Sequence, residues 1–267
     1  MRRWLLLMAH QDDEMTALPL VRGVAREALE ACVYFTDGGG RGGKRAHERR
    51  NAETLRVLAR LGIGTAKVDF LGVRAGIPDG TLHAHLNTAL DAFTASFKKA
   101  RVTDIATLAW EGGHPDHDAT HLLGLAIGQH LNARVWSFPL YNAYRTGILP
   151  FRVMSECSSE RTSVDWRISG SDRVEALRSP ASYPSQFKSM LGLYLPLLWQ
   201  YCTRSKLKCR SAWPEAVATR PHEGRLLYER RGWMTYDEFD GAVAEFKLRV
   251  GLPGATRASP PTGLGVN

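Results

Sequence analysis

Short apolar runs alternate with amphipathic stretches along the first 140 residues of the chain. The apolar runs indicate buried strands, and the stretches between them carry apolar residues at helical spacing. The pattern predicts strands over residues 3–9, 31–36, 67–71, 104–110 and 133–139, and helices over residues 14–29, 46–61, 82–100 and 117–132. Regular strand–helix alternation is typical of right-handed crossovers that build a parallel sheet. We therefore predict an α/β fold, a Rossmann-like, doubly wound and mostly parallel sheet with helices on both faces.

After residue 140 this alternation is lost, which predicts a smaller, irregular α+β C-terminal part. Its expected elements are irregular strands within residues 150–170, a helix over 171–191, a late strand over Leu226–Glu229 and a helix over Thr235–Arg249. Thr235 and Glu238 are spaced as the N-cap and third residue of a capping box, which fixes the start of the last helix.

These patterns divide the chain into three expected parts. A main domain takes residues 1–190, an extension over residues 191–255 packs on it, and residues 256–267, rich in Pro, Gly and Ser, form a disordered tail. The apolar run Met190–Tyr201 is too short to span a bilayer and predicts a core helix. The alternative is an interfacial helix at a membrane surface, which would suit a lipid-linked substrate.

Composition and charge narrow the range of partners. The chain has 267 residues with 35 Lys and Arg against 27 Asp and Glu, a formal net charge of +8 that favours anionic partners. No repeat, zinc-finger spacing or aromatic–basic interleaving favours nucleic acid. The four cysteines are scattered without a CxxC pair, and the apolar run after Arg2 and Arg3 is too short for a signal peptide. We expect a cytoplasmic protein with reduced thiols.

Two polar clusters follow predicted strands. His10-Gln11-Asp12-Asp13-Glu14 comes after the first strand, and His114-Pro115-Asp116-His117 follows the fourth. Each cluster alone has a plain structural interpretation, an acidic helix start or a turn. In a parallel sheet, however, both lie at the carboxyl edge of the strands, where α/β folds build their sites. Their co-occurrence therefore favours one composite site.

The residue types in the two clusters fit a catalytic metal site. Zinc in such sites takes three ligands from histidine and carboxylate and leaves a position open. His10 and Asp13 lie three residues apart, and His117 supplies a third ligand. Asp12 is then free to act as general base, while His114 would stabilise the oxyanion as a charged imidazole, with Asp116 keeping it charged. Iron or cobalt would fit the same donors.

A glycine-rich run offers a rival function. Residues 38–43 satisfy GxGxxG between a strand and a helix, as in nucleotide- or phosphosugar-binding proteins, but they follow the second strand rather than the first. The favoured interpretation is a loop beside the active site. The basic residues after it form either a solvated helix face or a clamp for an anionic substrate group: Arg41, Lys44, Arg45, Arg49 and Arg50.

With these motifs, the chain resembles the LmbE/PIG-L family of zinc-dependent N-acetylglucosaminyl de-N-acetylases. Beyond the two clusters, the matching segments are Phe35-Thr36-Asp37-Gly38-Gly39, Arg50-Asn51-Ala52-Glu53, Leu61-Gly62, Pro78-Asp79-Gly80 and Tyr183-Pro184-Ser185-Gln186. The resemblance is strong over residues 3–140 and thinner to about residue 190. It implies a zinc deacetylase that removes acetyl from an N-acetylglucosamine-type sugar, free or in a glycoconjugate.

The resemblance also implies roles for single residues. His10, Asp13 and His117 would bind one Zn²⁺ per chain, and Asp12 would be the general base. His114, modulated by Asp116, would be the acid, whereas Arg50 and Asp79 would hold sugar hydroxyls. Two positions depart from the family pattern: Gln11 replaces the commoner proline, and Gly112 stands where some members carry a tyrosine that polarises the amide.

Overall fold

A seven-stranded mixed sheet forms the centre of the molecule. The computed structural model describes residues 1–157 and 162–254. The strands of the described chain are β1 (Arg3–Met8), β2 (Ala28–Tyr34), β3 (Val68–Asp69), β4 (Asp104–Leu108), β5 (Arg134–Phe138), β6 (Tyr141–Asn142), β7 (Arg152–Val153), β8 (Ser163–Arg167) and β9 (Lys206–Ser211). The sheet order is β3-β2-β1-β4-β5-β9-β8, while β6 and β7 form a separate antiparallel pair.

The first five strands pair in parallel, which confirms the predicted fold class. The last two strands of the sheet are antiparallel, with β9 pairing β5 and β8 pairing β9. Only β8 falls in a region where strands were expected, and β9 lies in a segment with no predicted strand. The C-terminal half of the chain therefore extends the same sheet.

Helices cover both faces of the sheet. They are α1 (Leu18–Arg26), α2 (Gly43–Leu61), α3 (Leu71–Ala75), α4 (Leu86–Ser96), α5 (Pro115–Leu131), α6 (Gly170–Ser182), α7 (Phe187–Thr203), α8 (Leu227–Arg230) and α9 (Tyr236–Val250). Side chains alternate across β1, so that Trp4 and Leu6 join one apolar core and Leu5 and Leu7 the other. Because both faces are covered, this central strand is apolar from Trp4 to Met8.

Several expected elements differ in the structure. The strand expected over residues 67–71 is shorter, because α3 begins at Leu71. The helix expected over residues 171–191 is two helices, α6 and α7, separated by a short 3-10 turn at Pro184–Gln186. The strand expected over Leu226–Glu229 is wrong, since the helix α8 forms there. The helix expected over residues 14–29 ends earlier, because β2 already begins at Ala28. The capping box at Thr235 and Glu238 is confirmed.

The apolar run Met190–Tyr201 lies within α7, and its described side chains, over residues 192–201, are only partly buried. Leu197 and Tyr201 are in the core, but Leu195 and Trp199 are 69% and 67% exposed. Among the helices of the described residues, none has the length and apolar character needed to cross a membrane. The expected division into a main domain and an extension stays a prediction, and the expected tail over residues 256–267 lies outside the described residues.

The sheet order determines where a site can form. β1 lies between β2 and β4, so the chain leaves β1 in one direction and returns to β4 in the other. At such a switch point the loops after the two strands diverge and leave a crevice at the carboxyl edge. The two polar clusters occupy the loops that follow β1 and β4, at this crevice.

Candidate active site

The structure brings the two clusters together at the carboxyl edge of β1 and β4. Nδ1 of His10 and Nε2 of His117 are 3.3 Å apart, and Oδ1 of Asp13 lies 3.7 Å from the first and 3.3 Å from the second. Tetrahedral ligands about 2.1 Å from a zinc ion would be about 3.4 Å from one another. The three donor atoms therefore have the spacing and the chemistry of a divalent-metal site.

Backbone amides fix the orientation of Asp13. Its Oδ2 accepts hydrogen bonds of 2.8 Å from the amides of Ala9 and His10, which leaves Oδ1 facing the two histidines. Burial disfavours the charged carboxylate, but His117 and His10 beside it hold the pKa of Asp13 well below its usual range. Asp13 is thus held as an anion, the form in which a carboxylate binds metal.

Two carboxylates orient His10 from its far side. Nε2 of His10 lies 3.0 Å from Oδ2 of Asp116 and 3.2 Å from Oδ1 of Asp79. A proton on Nε2 satisfies both contacts and leaves the lone pair on Nδ1 for a metal. Burial lowers the pKa of His10, but Asp79, Asp116 and Asp13 outweigh it and raise the pKa well above its ordinary value, so a metal that binds Nδ1 would displace a proton from it.

Asp116 supports His10 rather than His114, which differs from the expectation. Its carboxylate is fully buried and accepts hydrogen bonds from the amides of Gly80 (2.6 Å) and Leu82 (2.9 Å) in addition to the contact with His10. Burial opposes its ionisation, but His10 and His114 hold the pKa of Asp116 below its usual range. Asp116 therefore links the loop around Asp79 to the side of His10 that faces away from His117 and Asp13.

His114 also differs from the expected charged imidazole. It is the N-cap of α5, and its Nδ1 accepts a hydrogen bond of 3.1 Å from the amide of Asp116. Nδ1 is therefore unprotonated, and the proton of the neutral ring is on Nε2. Burial, together with the neighbouring His10, lowers the pKa of His114 to about 3, although Asp116 opposes the shift. His114 is a neutral hydrogen-bond donor at this site.

Asp12 has a strained backbone. Its φ of 132° and ψ of −12° lie where residues other than glycine are rare. The amide of Asp12 donates a hydrogen bond of 3.2 Å to Oε2 of Glu14, and its carboxylate lies 3.5 Å from the guanidinium of Arg50. Burial raises the pKa of Asp12 to about 7, although Arg50 opposes the shift. This carboxylate thus has a proton affinity suited to base catalysis near neutral pH.

Glu14 is more than the helix-start carboxylate expected from its position. It lies in the 3-10 turn Asp13–Thr16 and is fully buried. Its carboxylate accepts hydrogen bonds from the hydroxyls of Tyr34 (3.1 Å) and Tyr183, and burial raises its pKa to about 7. Glu14 thereby joins the strained turn at Asp12 to the Tyr183 motif near the start of α7.

Arg50 and Asp79 form one buried network beside the ligand set. Nη1 of Arg50 donates to Oδ2 of Asp79 (3.1 Å) and to the carbonyl of Gly38 (2.5 Å), and Nη2 donates to the carbonyl of Gln11 (3.3 Å). Burial opposes the ionisation of Asp79, but His10 and Arg50 hold its pKa well below the usual range. The positive charge of Arg50 is therefore already balanced by carboxylates of the protein.

Above these residues opens a cavity of about 420 Å³. Its described lining comprises His10, Asp12, Asp13, Met15, Thr16, Arg50, Asp79, His114, His117, Leu140, Tyr141, Phe151, Gln186, Gly192, Leu193, Leu197, Arg231 and Trp233. Sequence reasoning identified the polar floor but missed the wall built from Tyr141, Phe151, Arg231 and Trp233. Those residues come from irregular segments without a recognised motif, and only their aromatic and cationic character was a signal.

The glycine-rich run packs against the loop after β1. Gly38 has a φ of +61°, and a Cβ at this position would lie 1.9 Å from the side-chain oxygen of Gln11. Gln11 in turn donates to the carbonyl of Asp37 (3.2 Å) and to Asn51 (2.7 Å). The described lining of the cavity includes none of residues 38–43.

Residues 5–127 match the model of the PIG-L family, described as GlcNAc-PI de-N-acetylase. The resemblance to the LmbE/PIG-L family is confirmed. The matched PIG-L segment contains both polar clusters and ends within α5, so the cavity wall contributed by Tyr141, Phe151, Arg231 and Trp233 lies beyond it. No protein of curated function matches the sequence.

Solved structures with the same fold include deacetylases. The zinc-inhibited form of teicoplanin deacetylase Orf2 is 13% identical, with a TM-score of 0.57 over 78% of this chain and 97% of that one. A deacetylase in complex with teicoplanin is 13% identical, with a TM-score of 0.55 over 78% and 97% of the two chains. The A40926 pseudoaglycone deacetylase Dbv21 is 13% identical, with a TM-score of 0.56 over 79% and 96%. At these identities the likeness establishes a shared fold.

Proposed function

We propose that the chain hydrolyses the acetamide of an N-acetylglucosamine-type sugar in a metal-dependent reaction, giving acetate and the free amine. One observation carries this proposal: donor atoms of His10, Asp13 and His117 lie 3.3–3.7 Å from one another at the floor of a cavity. Asp12 and His114 line the same cavity. The PIG-L match supports the reaction class.

His10, Asp13 and His117 would hold the metal. A divalent ion there would supply Lewis acidity, lowering the pKa of a water molecule and polarising the amide carbonyl. The two-histidine, one-carboxylate set suits zinc, and iron or cobalt as well. One structural neighbour is described as a zinc-inhibited form, so the metal and its optimal amount are to be determined together.

Asp12 takes the proton of the attacking water as general base. The bond from the water oxygen to the acetyl carbon forms as this proton moves to the carboxylate. Arg50, 3.5 Å away, keeps Asp12 oriented and its negative charge balanced before the reaction. When the carbon–nitrogen bond breaks, the proton on Asp12 is the one that the leaving amine requires, so the overall reaction is balanced.

His114 stabilises the charge that develops on the carbonyl oxygen. Because its Nδ1 accepts the amide proton of Asp116, Nε2 carries a proton that it can donate towards the cavity. A fixed neutral donor stabilises an oxyanion without first having to gain a proton. Asp79, whose side chain is 21% exposed and pairs with Arg50, would accept a hydrogen bond from a sugar hydroxyl.

The decisive experiment measures metal content and acetate release on the same samples. The panel of N-acetylglucosaminides runs from the free sugar to a glycopeptide of the teicoplanin type. We expect one bound metal per chain, loss of metal and turnover in His10→Ala and His117→Ala, and loss of turnover with retained metal in Asp12→Ala. Equal metal loss in all three variants would overturn the assignment of Asp12 as base.

A metal-free outcome would favour the rival function. If purified and metal-supplemented protein binds no divalent metal, releases no acetate and binds a nucleotide tightly, the hydrolase proposal fails and the glycine-rich run becomes the site to examine.

A further inference from the structure

We propose that Arg231 recognises an anionic group of the substrate, a carboxylate or a phosphate, at the wall of the catalytic cavity. The inference rests on the proposed deacetylase function, since it concerns which sugars that site prefers. Arg231 follows α8, in the part of the chain that the PIG-L match does not reach. It lines the same cavity as His10, His114 and His117.

None of the described residues balances the charge of Arg231. Among the described residues, no carboxylate lies within ion-pair distance of its guanidinium, and none of their groups accepts a hydrogen bond from it. Arg50, the other arginine of the described lining, is paired with Asp79 and Asp12. An arginine has five N–H donors in a planar fork that matches an oxyanion. Arg231 therefore offers the cavity an unused anion-binding group.

Aromatic rings hold the guanidinium in place without using its hydrogen-bond donors. The guanidinium carbon lies 4.9 Å from the ring centre of Trp233, 5.8 Å from that of Tyr141 and 5.9 Å from that of Phe151. Cation–π contacts engage the face of the guanidinium and leave its N–H edge free. Such a frame reduces the ordering entropy that a flexible arginine would lose on binding an anion.

The backbone that carries Arg231 is also fixed. The amides of Arg231 and Trp233 donate to the carbonyls of Leu227 (3.0 Å) and Tyr228 (3.1 Å), which closes the end of α8. The preceding residue, Arg230, donates to the carbonyl of Ala143 (3.1 Å) and thereby ties this turn to the segment after β6. The two neighbouring arginines therefore have different surroundings: Arg230 holds the turn in place, and Arg231 lines the cavity.

The frame places the anion site beside the reacting groups. The ring of Trp233 lies 4.9 Å from that of His114, and the ring of Tyr141 lies 5.2 Å from that of His117. Arg231 contacts both of these aromatic rings, so a single ring separates its guanidinium from each of the two histidines. An anion bound there would be carried on another position of the sugar than the acetamide, and would orient the amide relative to His114.

The test compares neutral and anionic sugars on the metal-loaded protein. The substrates are N-acetylglucosamine, its 6-phosphate, and N-acetylmuramic acid, which carries a carboxylate. We expect kcat/KM to be at least tenfold higher for one of the anionic sugars than for the neutral sugar, mainly through KM. Arg231→Gln should reduce this ratio about tenfold, and Arg231→Lys should restore part of it. Arg225→Gln, an equal loss of charge outside the cavity lining, should leave the ratio unchanged.

A binding measurement separates this inference from the proposed function. Calorimetry with glucosamine and glucosamine 6-phosphate, the amine products, reports anion recognition even if no acetate is released. Phosphate-dependent binding that Arg231→Gln abolishes supports the inference independently of turnover. Acetate release with no preference for either anion, or equal losses for neutral and anionic sugars in Arg231→Gln, overturns it while the deacetylase function stands.

Discussion

Nε2 of His10 lies 3.0 Å from Oδ2 of Asp116, a contact between two clusters separated by more than a hundred residues in the sequence. The contact leaves Nδ1 of His10 free to bind metal and holds the ring in place. Asp116 is itself held by the amides of Gly80 and Leu82. The outer side of the proposed metal site is therefore as well defined as the inner one.

This relationship predicts that Asp116→Asn weakens metal binding. The amide has one acceptor oxygen where the carboxylate has two, so either His10 or the amides of the Gly80 loop lose a partner. Loss of such an outer hydrogen bond to a ligand histidine typically costs 10–100-fold in metal affinity. Competition with a fluorescent zinc chelator measures the change. Asp69→Asn, at a carboxylate remote from the site, should bind metal as the wild type does.

The strained backbone of Asp12 predicts that glycine at this position gives a more stable protein than alanine. Its φ of 132° costs about 1–3 kcal/mol for a residue with a Cβ. Glycine gains roughly 0.5–1 kcal/mol more backbone entropy in the unfolded chain, which offsets part of that relief. We expect Asp12→Gly to exceed Asp12→Ala by about 1 kcal/mol in urea unfolding, with turnover lost in both.

The two variants remove the same carboxylate, so their difference isolates the backbone conformation. If the two variants have equal free energies of unfolding, or if Asp12→Ala is the more stable, the positive φ at this position does not cost the protein stability. The difference in free energy of unfolding between the wild type and Asp12→Ala then measures what the carboxylate contributes to stability. Arg50 favours its negative charge, whereas Asp13 and Asp79 oppose it.

The parallel core and the convergence of the two polar clusters could be predicted because local patterns encode them, while the roles of their residues as metal ligands stay a prediction. An apolar run that ends in His10 and Asp13 places both at the carboxyl edge of β1, and the same argument places His117 after β4. The strand β9, between β5 and β8 in the sheet, was missed because its residues, Lys206–Ser211, alternate basic and apolar, a weak signal beside the strongly apolar run before it. The cytoplasmic location stays a prediction.

The supporting groups of the site could not be predicted, because long-range packing decides them. Glu14 accepts a hydrogen bond from Tyr183, 169 residues away, and nothing in its local sequence distinguishes it from a solvated carboxylate. Arg231 directly follows Leu226–Glu229, where the sequence predicts a strand. The helix α8 forms there instead, and it brings the guanidinium of Arg231 next to the aromatic rings. The sequence pattern suggests that Asp116 keeps His114 charged, but it does not reveal how deeply His114 is buried, and burial lowers its pKa.

The close approach of Gly38 to Gln11 predicts that Gly38→Ala is destabilising. A Cβ there would lie 1.9 Å from the Gln11 side-chain oxygen, and the φ of +61° disfavours alanine. The left-handed conformation alone costs about 1–2 kcal/mol. Gln11 must also move away from Asn51, so we expect a total loss of about 2–3 kcal/mol and reduced turnover. Thermal and urea unfolding measure the first effect, and acetate release the second.

Gly64 provides the matched control, since a Cβ there meets nothing within 4 Å and its φ is −73°. Gly64→Ala should be neutral or slightly stabilising, by at most about 1 kcal/mol, and should leave turnover unchanged. A Gly38→Ala protein as stable and active as this control would mean that the loop after β1 does not depend on the contact with Gln11.

The burial of His121 predicts that the free energy of unfolding falls as the pH is lowered, and that replacing this histidine reduces the fall. Burial lowers its pKa to about 4, and its Nδ1 contacts the carbonyl of Leu108 at 2.7 Å. The unfolded chain takes up a proton near pH 6.5, whereas the folded protein resists protonation until about pH 4, so stability falls as the pH drops between these values. The contribution lost between pH 7 and pH 5 is about 2 kcal/mol.

The variant His121→Asn keeps a hydrogen-bond donor for the carbonyl of Leu108 but does not titrate. Its free energy of unfolding, measured in urea at each pH, should therefore fall by about 2 kcal/mol less than that of the wild type. Parallel pH profiles for the two proteins would show that His121 is protonated in the folded state or does not stay buried.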